Sequence, residues 1–319
     1  MLWSSFLLLI VGMALVIKGA DWLIEGASSL AKKFDIPEIV IGLTVVAFGT
    51  SAPELAVNIF SSIDHHSEMV LGNIIGSNIF NTLLILSIAA LIYPLSVKKN
   101  TVWKEIPFSL AAVLIFFVLA NDGFFFHSAA NQISRLDGII LLFLFVCFIS
   151  YTFFISKIKS DEVFDVRIFS TTMTVILILL GIAGLFGGGR LVILEAEKIV
   201  RALGVSEKLI GLTILSAGTS LPELVTSAMA AWKKRCDMAV GNVVGSNIFN
   251  LLLVMGVSSL IEPVGYNTVL NIDTLVFALA AVFLFITMFT GRRRRLDRWE
   301  AIILLLVYVA YMGYILVRR

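Results

Sequence analysis

Long unbroken runs of apolar residues dominate the chain, and polar residues gather between them. The runs show neither the 3.6-residue nor the 2-residue period of a half-buried helix or strand. Several of them reach the ~20 residues that a helix needs to cross a bilayer core. The pattern predicts an all-α polytopic membrane protein with ten transmembrane helices, near residues 4–20, 38–62, 69–95, 106–121, 138–156, 170–188, 208–231, 238–261, 268–290 and 299–317.

Composition supports this interpretation. Of the 319 residues, 59% are hydrophobic and 14% are charged, whereas a soluble domain carries roughly 25% charged residues. The formal net charge of +2 indicates neither nucleic acid nor another acidic partner. The start of the chain lacks a basic region, so we interpret it as the first span and not as a signal peptide. Cys147 and Cys236 are expected to be free thiols.

Positive charge predicts the orientation, because loops rich in Lys and Arg stay on the cytoplasmic side. With the N-terminus outside, 16 of the 24 basic residues fall on the inner side and 6 on the outer side. The inner ones are the Lys and Arg residues within 32–33, 98–104, 157–167, 233–235 and 292–298. Both termini are therefore predicted to face outside.

An internal repeat organises the chain. Residues 42–81 and 211–250 align without a gap at a constant offset of 169, and 18 of the 40 positions are identical. Because each half holds five predicted spans, an odd number, the second copy must be inverted relative to the first. Inverted repeats are a transporter architecture that places the substrate near the midplane. We expect a first half at 1–157, a short cytoplasmic linker at 158–169 and a second half at 170–319.

The motif G-T-S-x-P-E occurs once in each repeat, inside an apolar span. Pro53 and Pro222 lack an amide hydrogen and clash with the carbonyl four residues back. We therefore expect both helices to break there and to free the carbonyls of Gly49 and Gly218. Four hydroxyls accompany the expected breaks, from Thr50, Ser51, Thr219 and Ser220. A kink whose hydroxyls bond to the i−4 carbonyl is the alternative that these features alone leave open.

Glu54 and Glu223 favour a functional site. An acid at the bilayer centre costs at least ~2.5 kcal/mol and normally marks an ion or proton path. A structural ion pair is the alternative, but no Lys, Arg or His lies at comparable predicted depth. Lys18 comes nearest, close to a predicted span end.

The second motif, G-N-x-x-G-S-N-I-F-N, also occurs in both repeats. At helical spacing it forms a polar stripe of Asn73, Ser77 and Asn81, and a second one of Asn242, Ser246 and Asn250. Helix packing explains the G-x-x-x-G pairs, 72 with 76 and 241 with 245. It also accounts for Asn78 and Asn247 as interhelical hydrogen-bonding residues. Ser77, Asn81, Ser246 and Asn250 are expected to line a site.

Together the two motifs supply hard oxygen donors and neither thiolate nor imidazole, which argues against Zn²⁺ or Cu⁺. Ca²⁺ takes 6–8 oxygens in a flexible cage, and a formal charge of −2 matches one such ion. Other acids are weaker candidates: Asp21, Glu25, Glu195 and Glu197 are expected at a vestibule or a solvated helix end. His65, His66 and His127 are expected in surface loops.

The pair GTSAPEL with GNIIGSNIFN, and its twin GTSLPEL with GNVVGSNIFN, resembles the two α-repeats of the calcium/cation antiporter superfamily, in its sodium/calcium exchanger branch. The resemblance spans nearly the whole chain. It implies a secondary antiporter and not an enzyme, with Ca²⁺ and Na⁺ as transported ions and no cofactor or obligate protein partner. It also implies alternating access, with long first and sixth spans near 4–32 and 170–203 sliding to open each face. The absence of a large regulatory loop suggests a prokaryotic plasma membrane.

The resemblance also implies the ligands. Glu54 and Glu223 would bridge Ca²⁺, completed by the backbone carbonyls of Thr50 and Thr219, and three Na⁺ would return. The Na⁺ sites would use Ala47, Thr50, Ser51, Glu54 and Ser246 on one side. The mirror set would be Ser216, Thr219, Ser220, Glu223 and Ser77.

Two departures from related patterns narrow the expected activity. Potassium-dependent relatives carry Asp at one of the positions held here by Asn81 and Asn250, so no potassium requirement is expected. Proton-coupled relatives carry G-N-x-x-E in place of G-T-S-x-P-E, but its absence leaves H⁺-driven exchange of Ca²⁺ or Mn²⁺ open. An ion channel and an intramembrane enzyme are more distant alternatives.

Overall fold

The structure, a computed structural model, describes residues 2–99, 101–125, 131–156, 167–202, 216–291 and 294–318. Within these ranges the chain is almost entirely helical, with four strands of two residues each. Nine helices in the described part are long and apolar enough to cross a membrane. This confirms an all-α polytopic membrane protein. The predicted seventh span, 208–231, is described only from residue 216 onward.

In the described ranges, ten helices of at least 12 residues form the framework of the fold. In chain order they are α1 (Leu2–Lys33), α2 (Glu38–Ile63), α3 (Ser67–Ile92), α4 (Thr101–Ala120), α5 (Arg135–Ser156), α6 (Thr171–Ala202), α7 (Leu221–Trp232), α8 (Cys236–Ile261), α9 (Thr268–Thr287) and α10 (Arg298–Val317). A helical turn at Ser216–Thr219 precedes α7. α3 and α8 are the most enclosed of the membrane-length helices, whereas only a minority of the residues in the apolar parts of α1, α5, α6, α9 and α10 are buried.

The repeat is preserved in the helix boundaries. Adding 169 to the bounds of α1 gives those of α6, and adding 169 to α3 gives α8. The long helices α1 and α6 extend beyond the spans predicted from hydropathy, 4–20 and 170–188, because polar residues such as Lys18 and Asp21 continue the helix. Their lengths agree with the 4–32 and 170–203 that the family resemblance implies. Lys18 therefore lies within α1 and not near its end.

α1 and α6 pack against each other in opposite directions. A Cβ atom on Gly12 would lie 3.1 Å from the carbonyl oxygen of Gly188, and one on Gly19 would lie 2.8 Å from that of Gly181. The two contacts are mirror images, since Gly12 and Gly19 correspond to Gly181 and Gly188 at the offset of 169. Sequence number rises along one helix as it falls along the other, so these corresponding helices are antiparallel, as inverted repeats require.

Two small sheets join the halves at their ends. β1 (Leu95–Ser96) pairs antiparallel with β4 (Arg295–Leu296), and β2 (Gln132–Ile133) pairs with β3 (Val264–Gly265). Each sheet takes one strand from each half, which gives the same arrangement twice.

Arg135 follows β2 and Arg298 follows β4. Each of these arginines covers the end of a helix from the other half. Nε of Arg135 donates to the carbonyl of Leu260 at 3.2 Å, and Nε of Arg298 donates to that of Leu91 at 3.1 Å. Carbonyls in the last turn of a helix have no intrahelical donor, so these contacts satisfy the ends of α8 and α3.

The expected helix break occurs in one repeat only. α2 continues through Pro53 as part of Ala47–Ile63, preceded by a π-helical segment at Gly42–Val46. The prediction of a break at Pro53 was therefore wrong. In the second repeat the helix is interrupted at Ser220, and Pro222 occupies the first turn of α7, where a missing amide hydrogen costs nothing.

Candidate cation-binding site

Glu54 on α2 and Glu223 on α7 lie at the centre of the protein. Their side chains are 1% and 0% exposed. Apolar runs carry both residues into the membrane, and the two repeats face each other through α2 and α7. Among the residues that the structure describes, neither carboxylate forms an ion pair with a Lys, Arg or His, so the alternative of a structural ion pair finds no support. Lys18 instead pairs with Asp21 at 2.6 Å.

Each carboxylate accepts a hydrogen bond from the opposite repeat. Oγ of Ser51 donates to Oε1 of Glu223 at 2.9 Å, and Oγ of Ser220 donates to Oε1 of Glu54 at 3.2 Å. These bonds are mirror images at the offset of 169. The serines of the two G-T-S-x-P-E motifs therefore orient the glutamates of the other motif.

The threonines of the same motifs contact the central helices. Oγ1 of Thr50 donates to Oδ1 of Asn242 at 3.1 Å, and Oγ1 of Thr219 donates to Oδ1 of Asn73 at 3.3 Å. Oγ of Ser246 lies 3.5 Å from Oγ1 of Thr50. Hydroxyls from α2 and from the turn before α7 thus meet the polar stripes of α8 and α3.

Four buried asparagines link α3 to α8. Nδ2 of Asn81 donates to Oδ1 of Asn247 at 3.2 Å, and Nδ2 of Asn250 donates to Oδ1 of Asn78 at 3.1 Å. The interhelical role predicted for Asn78 and Asn247 is confirmed. Since each bond uses the amide nitrogen of Asn81 or Asn250, the amide oxygens of these two residues remain available.

A π-helical segment presents each of these asparagines. Phe80–Ile85 interrupts α3 and Phe249–Val254 interrupts α8. Asn81 and Asn250 are the second residues of these segments. π-Bulges are rare and often occur at functional sites, because the extra residue in the turn changes the direction of a side chain. Sequence periodicity predicted a regular stripe and missed both segments.

Buried acceptors without donors define the core of the site. Four of the buried oxygens that lack a hydrogen-bond partner in the described part of the chain belong to this site and form two mirror pairs: Oε2 of Glu54, Oε2 of Glu223, Oδ1 of Asn81 and Oδ1 of Asn250. An unsatisfied buried acceptor normally costs about 1–3 kcal/mol, and a charged one costs more. A cation would satisfy all of them.

Most of the predicted residues come together here. Thr50, Ser51, Ser220, Ser77 and Ser246 are buried, and Thr219 is partly buried. Ala47 is also buried and packs against Gly245. A Cβ added to Gly245 would lie 2.7 Å from the Cβ of Ala47. The Ser216 side chain lies outside the described residues. No group of three His, Cys, Asp or Glu that could hold a metal occurs in the described ranges.

The G-x-x-x-G pair of α8 confirms its predicted packing role, because Gly241 and Gly245 lie against the backbone of Ile39 and Leu43 on α2. By symmetry, residues around 208–212 would pack on Gly72 and Gly76, but they lie outside the described residues. His127 and the linker up to residue 166 also lie outside them. His65 is an exposed loop residue 3.4 Å from Glu262, as expected for a surface position.

Comparison with known proteins identifies the family. The family model for sodium/calcium exchanger proteins matches residues 4–154 and 173–317. The chain belongs to the sodium/calcium exchanger family. It is therefore an integral membrane transporter of the antiporter type, with ions as its transported substrates, and not an enzyme.

Relatives with similar sequences cover almost the full chain. The sodium/calcium exchanger MaX1 of Methanosarcina acetivorans is 30% identical, over 98% of each protein. A membrane protein of Methanocaldococcus jannaschii is 33% identical, over 94% of each. A solved structure of the sodium-calcium exchanger NCX_Mj, soaked with Na⁺ and Sr²⁺, superimposes with a TM-score of 0.85 at 31% identity, covering 98% of this chain and 99% of that one.

Proposed function

We propose that this exchanger couples Na⁺ movement to Ca²⁺ movement in the opposite direction, by alternating access to one site between Glu54 and Glu223. The observation that carries the proposal is the mirror set of four buried acceptor oxygens, two from carboxylates and two from Asn81 and Asn250, without donors in the described chain. A transported cation would satisfy these oxygens when bound.

The chemistry of these ligands favours the proposed ions. Carboxylate, amide and hydroxyl oxygens are the donors that Ca²⁺ prefers, and Ca²⁺ accepts 6–8 of them in irregular geometry. Two carboxylates carry a formal charge of −2, which one Ca²⁺ neutralises. Na⁺ is also a hard cation, but it carries half the charge, so several Na⁺ ions can replace one Ca²⁺. Solved structures of the related NCX_Mj were soaked with Na⁺, Ca²⁺ or Sr²⁺.

The assignment of ligands follows the two-fold symmetry. For Ca²⁺ we propose Glu54 and Glu223, with the backbone carbonyls of Thr50 and Thr219. For Na⁺ we propose two mirror sets, in which the remaining hydroxyls contribute. The first comprises Ala47, Thr50, Ser51, Glu54 and Ser246, and the second Ser216, Thr219, Ser220, Glu223 and Ser77. Asn81 and Asn250 complete the lining.

The cellular setting is proposed from charge and from a relative. The excess of basic residues in the inner loops favours both termini outside, with halves at 1–157 and 170–319 joined by a cytoplasmic linker at 158–169. Inner membrane protein YrbG of Escherichia coli is 35% identical, over 85% of this chain and 87% of that protein. We therefore propose a prokaryotic plasma membrane. The lipid bilayer is the expected surrounding, with neither nucleic acid nor an obligate protein partner.

Ion flux in vesicles tests the proposal. Purified protein would be reconstituted into liposomes loaded with Na⁺ and diluted into Na⁺-free buffer that contains radioactive Ca²⁺. We expect Ca²⁺ uptake to require internal Na⁺ and to persist when K⁺ is replaced by choline. Unlabelled Ca²⁺ added outside should reduce the uptake of radioactive Ca²⁺.

A pH gradient of equal size distinguishes the proton-coupled alternative. Uptake of Ca²⁺ or Mn²⁺ driven by that gradient without Na⁺ would replace the proposed coupling with H⁺ antiport. Ca²⁺ flux that needs neither gradient would indicate a channel. Glu105→Gln provides a matched control, since Glu105 is another buried membrane acid but hydrogen-bonds to Tyr151 away from the site.

A further inference from the structure

Several contacts described above occur in mirror pairs, but the ion-pair cluster around Lys233 does not. Nζ of Lys233, just after α7, forms an ion pair with Oδ1 of Asp21 and lies 3.3 Å from Oε1 of Glu25, both on α1. Lys18 adds a second contact to Asp21. This cluster holds the long helix α1 against the end of α7.

The repeat contains a counterpart of this pair with its charges reversed. At the offset of 169, Asp21 corresponds to Arg190 on α6 (21 + 169 = 190), and Lys233 corresponds to Asp64 after α2 (64 + 169 = 233). The same two places in the other half thus again hold opposite charges, with the cation now on the long helix.

We propose that Arg190 and Asp64 form an ion pair in the opposite-facing state, so that the Asp21–Lys233 pair and the Arg190–Asp64 pair close the two faces of the protein in turn. The inference rests on the alternating access proposed above. It adds the residues that hold each face closed.

In the structure the second pair is apart. Arg190 and Asp64 are both exposed, and neither has an ion-pair partner among the residues that the structure describes. The packing of the helices agrees, because α1 packs extensively against α7 whereas α6 makes only slight contact with α2. One face is therefore closed by α1, which lies against α7. The corresponding contact between α6 and α2 is open.

The same asymmetry recurs beside the cation site. Nδ2 of Asn242 donates to Oγ of Ser227 at 2.9 Å, which ties α8 to α7. The mirror residues are Asn73 and Asn58. Nδ2 of Asn73 and Oδ1 of Asn58 are instead buried without partners in the described chain. A complementary donor and acceptor are thus left unsatisfied on α3 and α2, on the side from which α6 stands away, which is expected if α6 closes against α2 in another state.

Apart from the interruption at Ser220, which α2 lacks at Ser51, the contacts at the ends of the two halves are symmetric, so the difference is not a general distortion of one half. The strand pairs β1–β4 and β2–β3 have equivalent registers, and Arg135 and Arg298 cover equivalent helix ends. The difference concerns how α1 and α6 lie against α7 and α2. Because α1 and α6 pack tightly on each other through glycines, movement that brings α6 to α2 also withdraws α1 from α7.

Ion pairs suit such a reversible contact. The side chains of Lys233 and Asp21 remain 25% and 22% exposed. Pairs in such partly hydrated places contribute modestly to stability. Each pair can therefore shift the balance between two states several-fold without trapping either one.

Cysteine pairs test the proximity directly in the full-length protein in membranes, after replacement of Cys147 and Cys236 by Ser. Asp64→Cys/Arg190→Cys should form a disulfide under mild oxidation, and Asp21→Cys/Lys233→Cys serves as the positive control. Asp64→Cys/Ala183→Cys is the matched negative control, since Ala183 is exposed on the same helix about two turns (~10 Å) earlier. We expect the Arg190 pair to cross-link at least about fivefold faster than the Ala183 pair, and each positive cross-link to stop exchange until reductant is added.

Cross-linking of Asp64→Cys/Arg190→Cys no faster than that of the Ala183 pair would overturn the inference. Exchange by the unmodified protein in the same vesicles reports separately on the proposed function. A charge swap provides a second test. Arg190→Asp should reduce exchange at least about threefold, and Asp64→Lys/Arg190→Asp should return it to within about twofold of the original. Failure of the swap to rescue would exclude an electrostatic contact.

Discussion

Ser51 on α2 donates a 2.9 Å hydrogen bond to Glu223 on α7, although 172 positions separate them in the chain. The mirror bond joins Ser220 to Glu54. Each repeat thus provides an acid and the donor that orients the acid of the other repeat. Neither half can form the site alone.

We predict that Glu54→Gln and Glu223→Gln each reduce Na⁺-dependent Ca²⁺ uptake more than tenfold, a loss of over ~1.4 kcal/mol. Gln preserves the shape and can still accept the serine bond, but it removes half of the formal site charge. Uptake is measured in vesicles with equal amounts of protein, and folding is checked by gel filtration. Glu105→Gln should retain most of the activity. Retention of more than about a tenth of the exchange in both site variants would refute the site.

Exchange should be electrogenic. A site of charge −2 is neutral with one Ca²⁺ and carries +1 with three Na⁺, the number that the family resemblance implies. One positive charge should then move with Na⁺ in each cycle, and each charge that crosses the membrane is worth ~2.3 kcal/mol per 100 mV. Inside-negative voltage should accelerate Ca²⁺ extrusion driven by Na⁺ entry.

Vesicles clamped with a K⁺ gradient and valinomycin at several potentials measure this effect. A flux that is independent of voltage would exclude the three-to-one cycle and favour two Na⁺ or two H⁺ per Ca²⁺.

A methyl group added where α1 and α6 pack closely should disrupt their contact. A Cβ on Gly181 would lie 2.6 Å from the backbone nitrogen of Leu23. Gly181→Ala should therefore separate the helices, lower the free energy of unfolding by about 1–3 kcal/mol and slow exchange. Thermal unfolding in detergent and vesicle flux measure the two effects.

Gly187→Ala is the matched control on the same helix, because in the described chain nothing beyond the adjacent helix backbone lies within 4 Å of the added carbon. It should leave exchange intact and raise stability slightly, by up to about 1 kcal/mol, through higher helix propensity. Equal effects of the two substitutions would contradict a specific packing role for Gly181.

Two mirror positions test the orientation. His65 and Lys234 occupy corresponding loops after α2 and α7, and both have a positive φ of 60°. In cells that express single-cysteine variants, His65→Cys should react with an impermeant thiol reagent from outside. Lys234→Cys should react only after the membrane is permeabilised. The reverse result would invert the predicted topology, and equal labelling of both would contradict the inversion of the repeats.

The sequence predicted the residues of the site better than the backbone conformations that present them. The motifs identified the glutamates, hydroxyls and asparagines, because a polar group within an apolar span has a large free-energy cost and stands out. The π-helical segments at Asn81 and Asn250 were missed, since one extra residue in a turn leaves no mark on a hydrophobic run. The break predicted at Pro53 was wrong, whereas the corresponding helix is interrupted at Ser220. Nearly identical motifs thus adopt different backbones.

The sequence by itself determined the class of the protein, its two-fold repeat and most of the chemistry of its site. A polar residue within an apolar span has a free-energy cost that depends on that position alone, so such residues can be recognised without the fold. Only the tertiary structure decided which donor meets which acceptor and which face is closed. Ser51 reaches Glu223 through packing between repeats, which no local pattern encodes. An inverted repeat also permits two mirror-related packings of α1 and α6. The choice between them depends on the balance of many weak contacts across the whole protein, such as those of Lys233 with Asp21.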